Sequence, residues 1–242
     1  MSKPLTIHTS RTIMSSELID VLNYPKNGLE HSHVMERNIF NKKTESSLKK
    51  TIRYLTQLYV FKKEDIRFKV LEDYWQHVSE EEKPLLAFLF AISKDYMLQE
   101  SVPWVKSVPI NDKAVIEGFE DKIKDQHPNR FSSKTLRSVA QNIASSWKQA
   151  GYIEGKVKNL RVKRTPSYLT VAFAFLMAYI DGARGEYMAD HPSVKALDVS
   201  NEELHQLIKA AADRDLVRYN KSGSTMVISF ENYLNRLQDG KS

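Results

Sequence analysis

Residues 168–180 read YLTVAFAFLMAYI, a run of 13 residues without a charge. Spanning a bilayer takes about 20 apolar residues, so this run is too short to cross one. A helix that is apolar all round has no face to offer water, and it must be enclosed by other elements. The run therefore predicts a buried helix. At 242 residues the chain can bury such a core as one large domain or two ordinary ones. It contains no cysteine, which rules out a disulfide framework, a thiolate metal site and a cysteine nucleophile, and fits a reducing cytosol. The start MSKPLTIHTSRT lacks the apolar stretch of a signal peptide. A cytoplasmic protein with no membrane partner is the expectation.

Helical periodicity dominates the first hundred residues. Leu48, Ile52, Leu55 and Tyr59 share a stripe, as do Ile66, Val70, Tyr74 and Val78. Ser79 with Glu82 resembles a capping box, and Pro84 makes Lys83 an equally good start for the apolar helix that follows. Residues 100–109 (ESVPWVKSVP), with two prolines and no helical period, read as a linker. This places a helical N-terminal domain at 1–102 and a C-terminal region at 108–242.

In that region Asn111 can cap a helix carrying Val115, Ile116, Phe119 and Ile123, ended by His127-Pro128. A second helix, from about Ser133 to Ala150, is stopped by Gly151, and YIEGKVKNLRVKR then reads as a hairpin. Thr165-Pro166 supplies a cap and first-turn proline for the buried helix, and Gly182 closes it. The pattern recurs: Ser200 and Glu203 form a capping box before Leu204, Leu207, Ile208 and Ala211. LVRYN, KSGS and TMVISF then form a hairpin, with Val217 and Tyr219 on one face of the first strand and Met226, Ile228 and Phe230 on one face of the second. The expected fold class is mainly α: the helical N-terminal domain followed by two winged-helix-like units, about 110–164 and 166–238, with short β-hairpin wings.

Charge is concentrated rather than abundant. Residues 1–129 carry 19 Lys and Arg against 19 Asp and Glu, and residues 165–242 carry 8 against 10; residues 130–164 carry 9 against the single Glu154. In the helix SSKTLRSVAQNIASSWKQAG, Leu136, Val139, Ala140, Ile143, Trp147 and Ala150 fall within an arc of about 100°. Lys134, Arg137, Gln141, Ser145 and Lys148 lie on the far side. Cations neutralise phosphates, and Arg and Gln also pair with base edges in the major groove. Arg130 precedes this helix, and Lys156, Lys158, Arg161, Lys163 and Arg164 decorate the hairpin behind it. Together these residues form the expected surface for double-stranded DNA. Lys42, Lys43, Lys49, Lys50 and Arg53 form a second basic cluster that can extend a DNA track or simply be a solvated face. Lys209, Arg214, Arg218 and Lys221 alternate with Asp213 and Asp215, a balance better suited to a protein contact or a structural role.

Signals for chemistry are poor. Glu154-Gly155-Lys156 has an E-x-K spacing found in nucleases, with Asp121 or Asp125 as a conceivable metal partner, but a three-letter match in a lysine-rich hairpin is cheap. His31 and His33 beside Glu30 and Glu36 occupy alternate positions, which diverge on a helix. No phosphate-binding glycine loop and no nucleophile elbow occurs. Neither a catalytic residue, a metal nor a cofactor is expected. The competing readings are an adaptor of the same fold that binds protein partners and a metal-dependent nuclease.

The ordering of SRTIMSSELIDVLNY, FSSKTLRSVAQNIASSWKQAGYIEG, the buried helix and LIKAAADRDLVRYNKSGSTMVISF resembles the BrxA proteins of bacterial BREX phage-defence systems. The likeness covers most of the chain and is firmest from Arg130 onward. It implies a small bacterial helical protein with winged-helix-type modules that binds double-stranded DNA. It also implies work beside the methyltransferase, phosphatase-like and ATPase components of the system, and it brings no catalytic motif.

Overall fold

The computed structural model describes residues 5–25, 28–155, 158–222 and 225–239. The run singled out above is helix α9 (Tyr168–Ile180), and every residue from Thr170 to Tyr179 is buried. A second helix of the same kind, α5 (Lys83–Ile92), is buried along its whole apolar length and packs on α9. Around this pair lie α1 (Ser15–Asn23), α2 (His31–Glu36), α3 (Glu45–Tyr59), α4 (Ile66–His77), α6 (Tyr96–Ser107), α7 (Ile116–Gln126) and α8 (Ser133–Gln149). After α9 come a 3₁₀ segment (Gly185–Asp190), α10 (Pro192–Lys195), α11 (Asn201–Ala212) and α12 (Glu231–Gln238). Two antiparallel hairpins complete the described chain: β1 (Ile153–Glu154) with β2 (Leu160–Arg161), and β3 (Arg218–Ser222) with β4 (Thr225–Ser229). The described chain is thus mainly helical with two small two-stranded sheets, and its buried apolar residues, Val34 apart, form one continuous cluster from Ile7 to Tyr233. No helix among the described residues is long and apolar enough to cross a membrane.

Several ends follow the sequence. Ser200 and Glu203 close a complete capping box on α11. Gly182, at φ +93°, ends α9 with Ala183 N–H on Ala178 O and Gly182 N–H on Tyr179 O, a wrap that a left-handed residue permits. The cap of α9 is Ser167, whose side chain accepts from Thr170 N–H, rather than Thr165. Its anchor comes from afar: Glu82 Oε1 accepts from Ser167 N–H at 2.7 Å and from the Thr170 hydroxyl at 3.0 Å. The α5 helix starts at Lys83 with Pro84 in its first turn and no side-chain cap, so the Ser79–Glu82 box is not made.

The expected linker is instead helix α6. Asp95 caps it by accepting from Leu98 N–H, and Met97, Leu98, Ser101, Val102 and Val105 are buried along one side. Pro103 forfeits one backbone hydrogen bond, but it sits on the exposed side while the buried stripe holds the helix in place. Asn111 likewise caps nothing. It lies at φ +72°, and α7 begins five residues later. Residues 111–114 instead run beside β2: Asn111 N–H reaches Arg161 O at 2.7 Å, Arg161 N–H reaches Asp112 O, and Ala114 N–H reaches Asn159 O, both at 2.8 Å.

The order is therefore α6, an extended segment, α7, α8, then a hairpin whose second strand accepts that segment. The C-terminal third repeats it as α9, the 3₁₀ segment packed on β4, α10, α11, then β3–β4. In the second hairpin Tyr219 faces Ile228 and Lys221 faces Met226, and Val217, Ile228 and Phe230 are buried as the alternation requires. The turn expected at 221–224 is only partly visible, because residues 223 and 224 lie outside the described set.

Candidate nucleic-acid interface

Helix α8 is set by local signals. Ser132 caps it by accepting from Thr135 N–H, Gly151 stops it at φ +81°, and Val139, Ala140, Ile143 and Trp147 are buried. The opposite side is not one uniform polar face. In the first half, Ser133, Lys134, Thr135, Arg137, Ser138 and Gln141 are all exposed. The second half is clasped. Asn142 Nδ2 donates to His8 O at 2.9 Å, and Gln149 Oε1 accepts from Ser15 N–H at 3.0 Å and the Ser15 hydroxyl at 3.1 Å. Residues 7–15 thus lie along the C-terminal half of α8 and leave its N-terminal half projecting.

The expected contact residues divide accordingly. Lys134 is exposed with no ion pair among the described residues. Gln141 is exposed. Arg137 is exposed but held at 2.7 Å from Glu117 and 3.1 Å from Glu120 on the neighbouring α7, and its hydrogen bond holds the Glu117 carboxyl below the usual range. Arg130 is exposed and stacks on Tyr96 at 5.4 Å and Phe131 at 5.2 Å. Ser145 is half-buried, accepting from Gln149 Nε2 at 3.4 Å. Lys148 reaches the hairpin, donating to Gly155 O at 2.7 Å and Asn159 Oδ1 at 2.8 Å. It holds the hairpin turn against the helix, so its ammonium is committed.

On the hairpin, Lys158 is exposed and without an ion pair among the described residues, and Lys163 lies 3.5 Å from Glu203. Arg164 folds back across Gly151 to donate to Glu81 O at 3.0 Å. Lys156 lies outside the described residues. Arg161 corrects the expectation of a surface cation. It is 1% exposed, paired with Asp198, and donates to Val105 O and Tyr152 O at 3.3 Å each and to Val162 O. Its guanidinium also lies over the Tyr152 ring at 5.2 Å. The two-residue strand turns Arg161 inward, while the flanking Leu160 and Val162 are only half-buried.

In the second basic cluster Lys42 is tied to Glu17 at 2.9 Å and Lys49 to Glu45 at 2.5 Å. Lys43 and Lys50 are exposed. Arg53 covers the Tyr54 ring at 4.7 Å, and Arg11, which the charge pattern did not single out, covers the same ring at 5.5 Å.

Sequence reasoning also missed a buried constellation. His8 Nδ1 lies 2.8 Å from Asp95 Oδ2 and its Nε2 lies 2.8 Å from Ser146 Oγ, with all three side chains enclosed. The geometry is that of a serine nucleophile with its base and orienting acid, but Ser146 Oγ is already engaged with Ile13 N–H and Asn142 O, each at 3.0 Å. Burial pushes the Asp95 carboxyl up, and the His8 ring with the N–H groups of Ile7 and Leu98 outweighs it and holds the carboxyl below the usual range. The trio pins the N-terminal segment to α6 and α8. No substrate carbonyl reaches an enclosed hydroxyl, so a serine-directed fluorophosphonate should leave the folded protein unlabelled. Stoichiometric labelling at Ser146 by intact mass would make the trio a reactive site.

Of the residues in the nuclease reading, Glu154, Asp121 and Asp125 are exposed and Lys156 lies outside the described residues; among the described residues no three His, Asp or Glu form a metal-ligand group. His31 is buried against Phe61 and Phe68, whereas His33 is exposed. Compared with protein-family models, curated proteins and solved structures, the chain matches none.

Proposed function

We propose that the protein is a non-catalytic double-stranded DNA-binding component of a bacterial BREX-type phage-defence system, acting beside its methyltransferase, phosphatase-like and ATPase partners. The system-level part rests on the resemblance to BrxA. The observation that carries DNA binding is the projecting N-terminal half of α8, whose exposed side chains are all cationic or uncharged polar. The order α6, segment 111–114, α7, α8, β1, β2 supports a winged-helix reading, with α8 as the groove-entering helix and Lys158 on the wing. Only α8 residues from the free half enter the groove in this reading. Lys134 and Lys158 contact phosphates, Gln141 faces a base edge, and Arg137 must leave Glu117 and Glu120 to engage.

The adaptor reading keeps one observation in its favour. Tyr187 is 72% exposed and Val227 is 49% exposed, on the 3₁₀ segment and the β4 strand that pack together.

Fluorescence anisotropy with a short duplex over a series of salt concentrations separates the two. Each phosphate contact contributes about 0.9 to the slope of log K against log salt. Lys134→Ala with Lys158→Ala should therefore flatten the slope by about two units at an unchanged melting temperature. Gln141→Ala should alter sequence preference without altering the slope. A flat salt response, or no binding at low salt, favours the adaptor.

A further inference from the structure

Helix α11 and strand β3 flank a groove of about 470 Å³, lined chiefly by His205, Lys209, Tyr219, Asn220 and Lys221, with Asp213 at one end. At its centre Lys221 Nζ lies 2.7 Å from His205 Nε2, and the Tyr219 hydroxyl lies 2.9 Å from His205 Nδ1. An ammonium can only donate, so Nε2 is the acceptor and the ring proton sits on Nδ1, donating to Tyr219. The imidazole is neutral in this arrangement. Lys221 therefore spends its hydrogen bond on an uncharged ring, and neither Lys221 nor Lys209 has a carboxylate partner among the described residues. An alternation of charges along the sequence has become, in space, an open groove with two cations that form no ion pair among the described residues, an imidazole between the strand and the helix, and Asp213 at its end.

We propose that this groove binds a single phosphate group and that His205 protonation tightens it. Protonation turns Nε2 from acceptor to donor and breaks its bond to Lys221. The two cations then repel, and both present donors to the groove. A tetrahedral phosphate has oxygens enough to accept from His205, Lys221 and Lys209 together, whereas a carboxylate has two. Asp213 repels a second phosphoryl group, which selects one phosphate over a polyphosphate chain. The charged and titratable groups facing the ring are Glu202 and Lys209, one turn away on either side along α11, and Tyr219 and Lys221 from β3. Burial and the Lys221 charge hold the His205 imidazole below the ordinary histidine value. The gain in affinity therefore appears on the acid side of that value, and bound phosphate shifts the ring's titration upward. Assigning the phosphate to a duplex backbone rests on the reading above; the site itself does not.

The test is a pH titration of the His205 ring carbon–proton signal in the full labelled chain, in chloride and in inorganic phosphate at equal ionic strength. The signal is assigned by its loss in His205→Gln. Phosphate should raise the midpoint by about one unit, equivalent to about tenfold tighter binding to the protonated form. Lys209→Ala with Lys221→Ala should abolish the rise. A midpoint that phosphate leaves in place overturns the proposal whatever the duplex does. In a second arm, duplex binding is measured at about pH 5.5 and about pH 7.5. A stronger complex at low pH that becomes pH-independent in His205→Gln identifies the phosphate as backbone. If phosphate moves the midpoint while the duplex binds independently of His205, or does not bind at all, the site stands and takes a free phosphate compound. The second of these outcomes sinks the DNA reading alone.

Discussion

Replacing Trp147 by alanine should cost about 3–5 kcal/mol of stability, the usual range for truncating a buried aromatic. The indole is fully enclosed. It lies 4.7 Å from the Phe88 ring on α5 and 5.4 Å from the Tyr152 ring at the start of the hairpin, and its Nε1 donates to Ser101 Oγ on α6 at 2.7 Å. One side chain thus joins α8 to α5, to α6 and to the hairpin that follows α8. Truncation leaves a cavity where four elements meet, and that cavity cannot collapse without moving α8. Trp147→Phe should cost less, since it keeps one ring's contacts and loses the second ring and the bond to Ser101, whose hydroxyl still donates to Leu98 O. Urea unfolding monitored by circular dichroism measures both variants. An alanine variant that unfolds like the parent would mean that α8 docks through another face.

What the sequence reveals here is whatever is local. The α8 face, the enclosed α9 and the Ser200–Glu203 box each depend on residues within a few turns of one another, so period and capping chemistry display them. Helix α6 was hidden because two prolines argued against it, whereas the buried stripe from Met97 to Val105 that holds it needs partners from other elements to matter. The buried trio joins residues 8, 95 and 146, a separation over which no spacing rule operates. The candidate interface was half legible for the same reason. Periodicity finds the polar side of α8, but only the path of residues 7–15 decides which half of it stays free. The sign of local charge was equally incomplete at Arg137, because α7 brings Glu117 and Glu120 against it.

Arg161 gives the sharpest contrast between charge counted along a sequence and charge placed in a fold, and Arg161→Ala should destabilise the protein by about 3–5 kcal/mol. The cost comes from what is left behind rather than from the pairing itself. Asp198 loses its cation, and the carbonyls of Val105, Tyr152 and Val162 lose a donor in an enclosed site. Arg161→Lys should recover little, because one ammonium cannot reproduce the planar fork that serves a carboxylate and three carbonyls from two directions. Adding Asp198→Ala to Arg161→Ala should restore part of the loss by removing the unpaired acid, while the lost guanidinium hydrogen bonds keep the double variant below the parent, even though Val105 O and Tyr152 O retain the N–H groups of Val108 and Val162. Exposed Lys158→Ala is the control and should leave unfolding unchanged. Well below its lowered midpoint, Arg161→Ala should bind duplex with the parent's salt slope, since an enclosed guanidinium releases no phosphate counterion. If Arg161→Ala instead unfolds like the parent and flattens that slope by about one unit, the side chain faces the DNA and the buried arrangement around Asp198 is not the one that forms in solution.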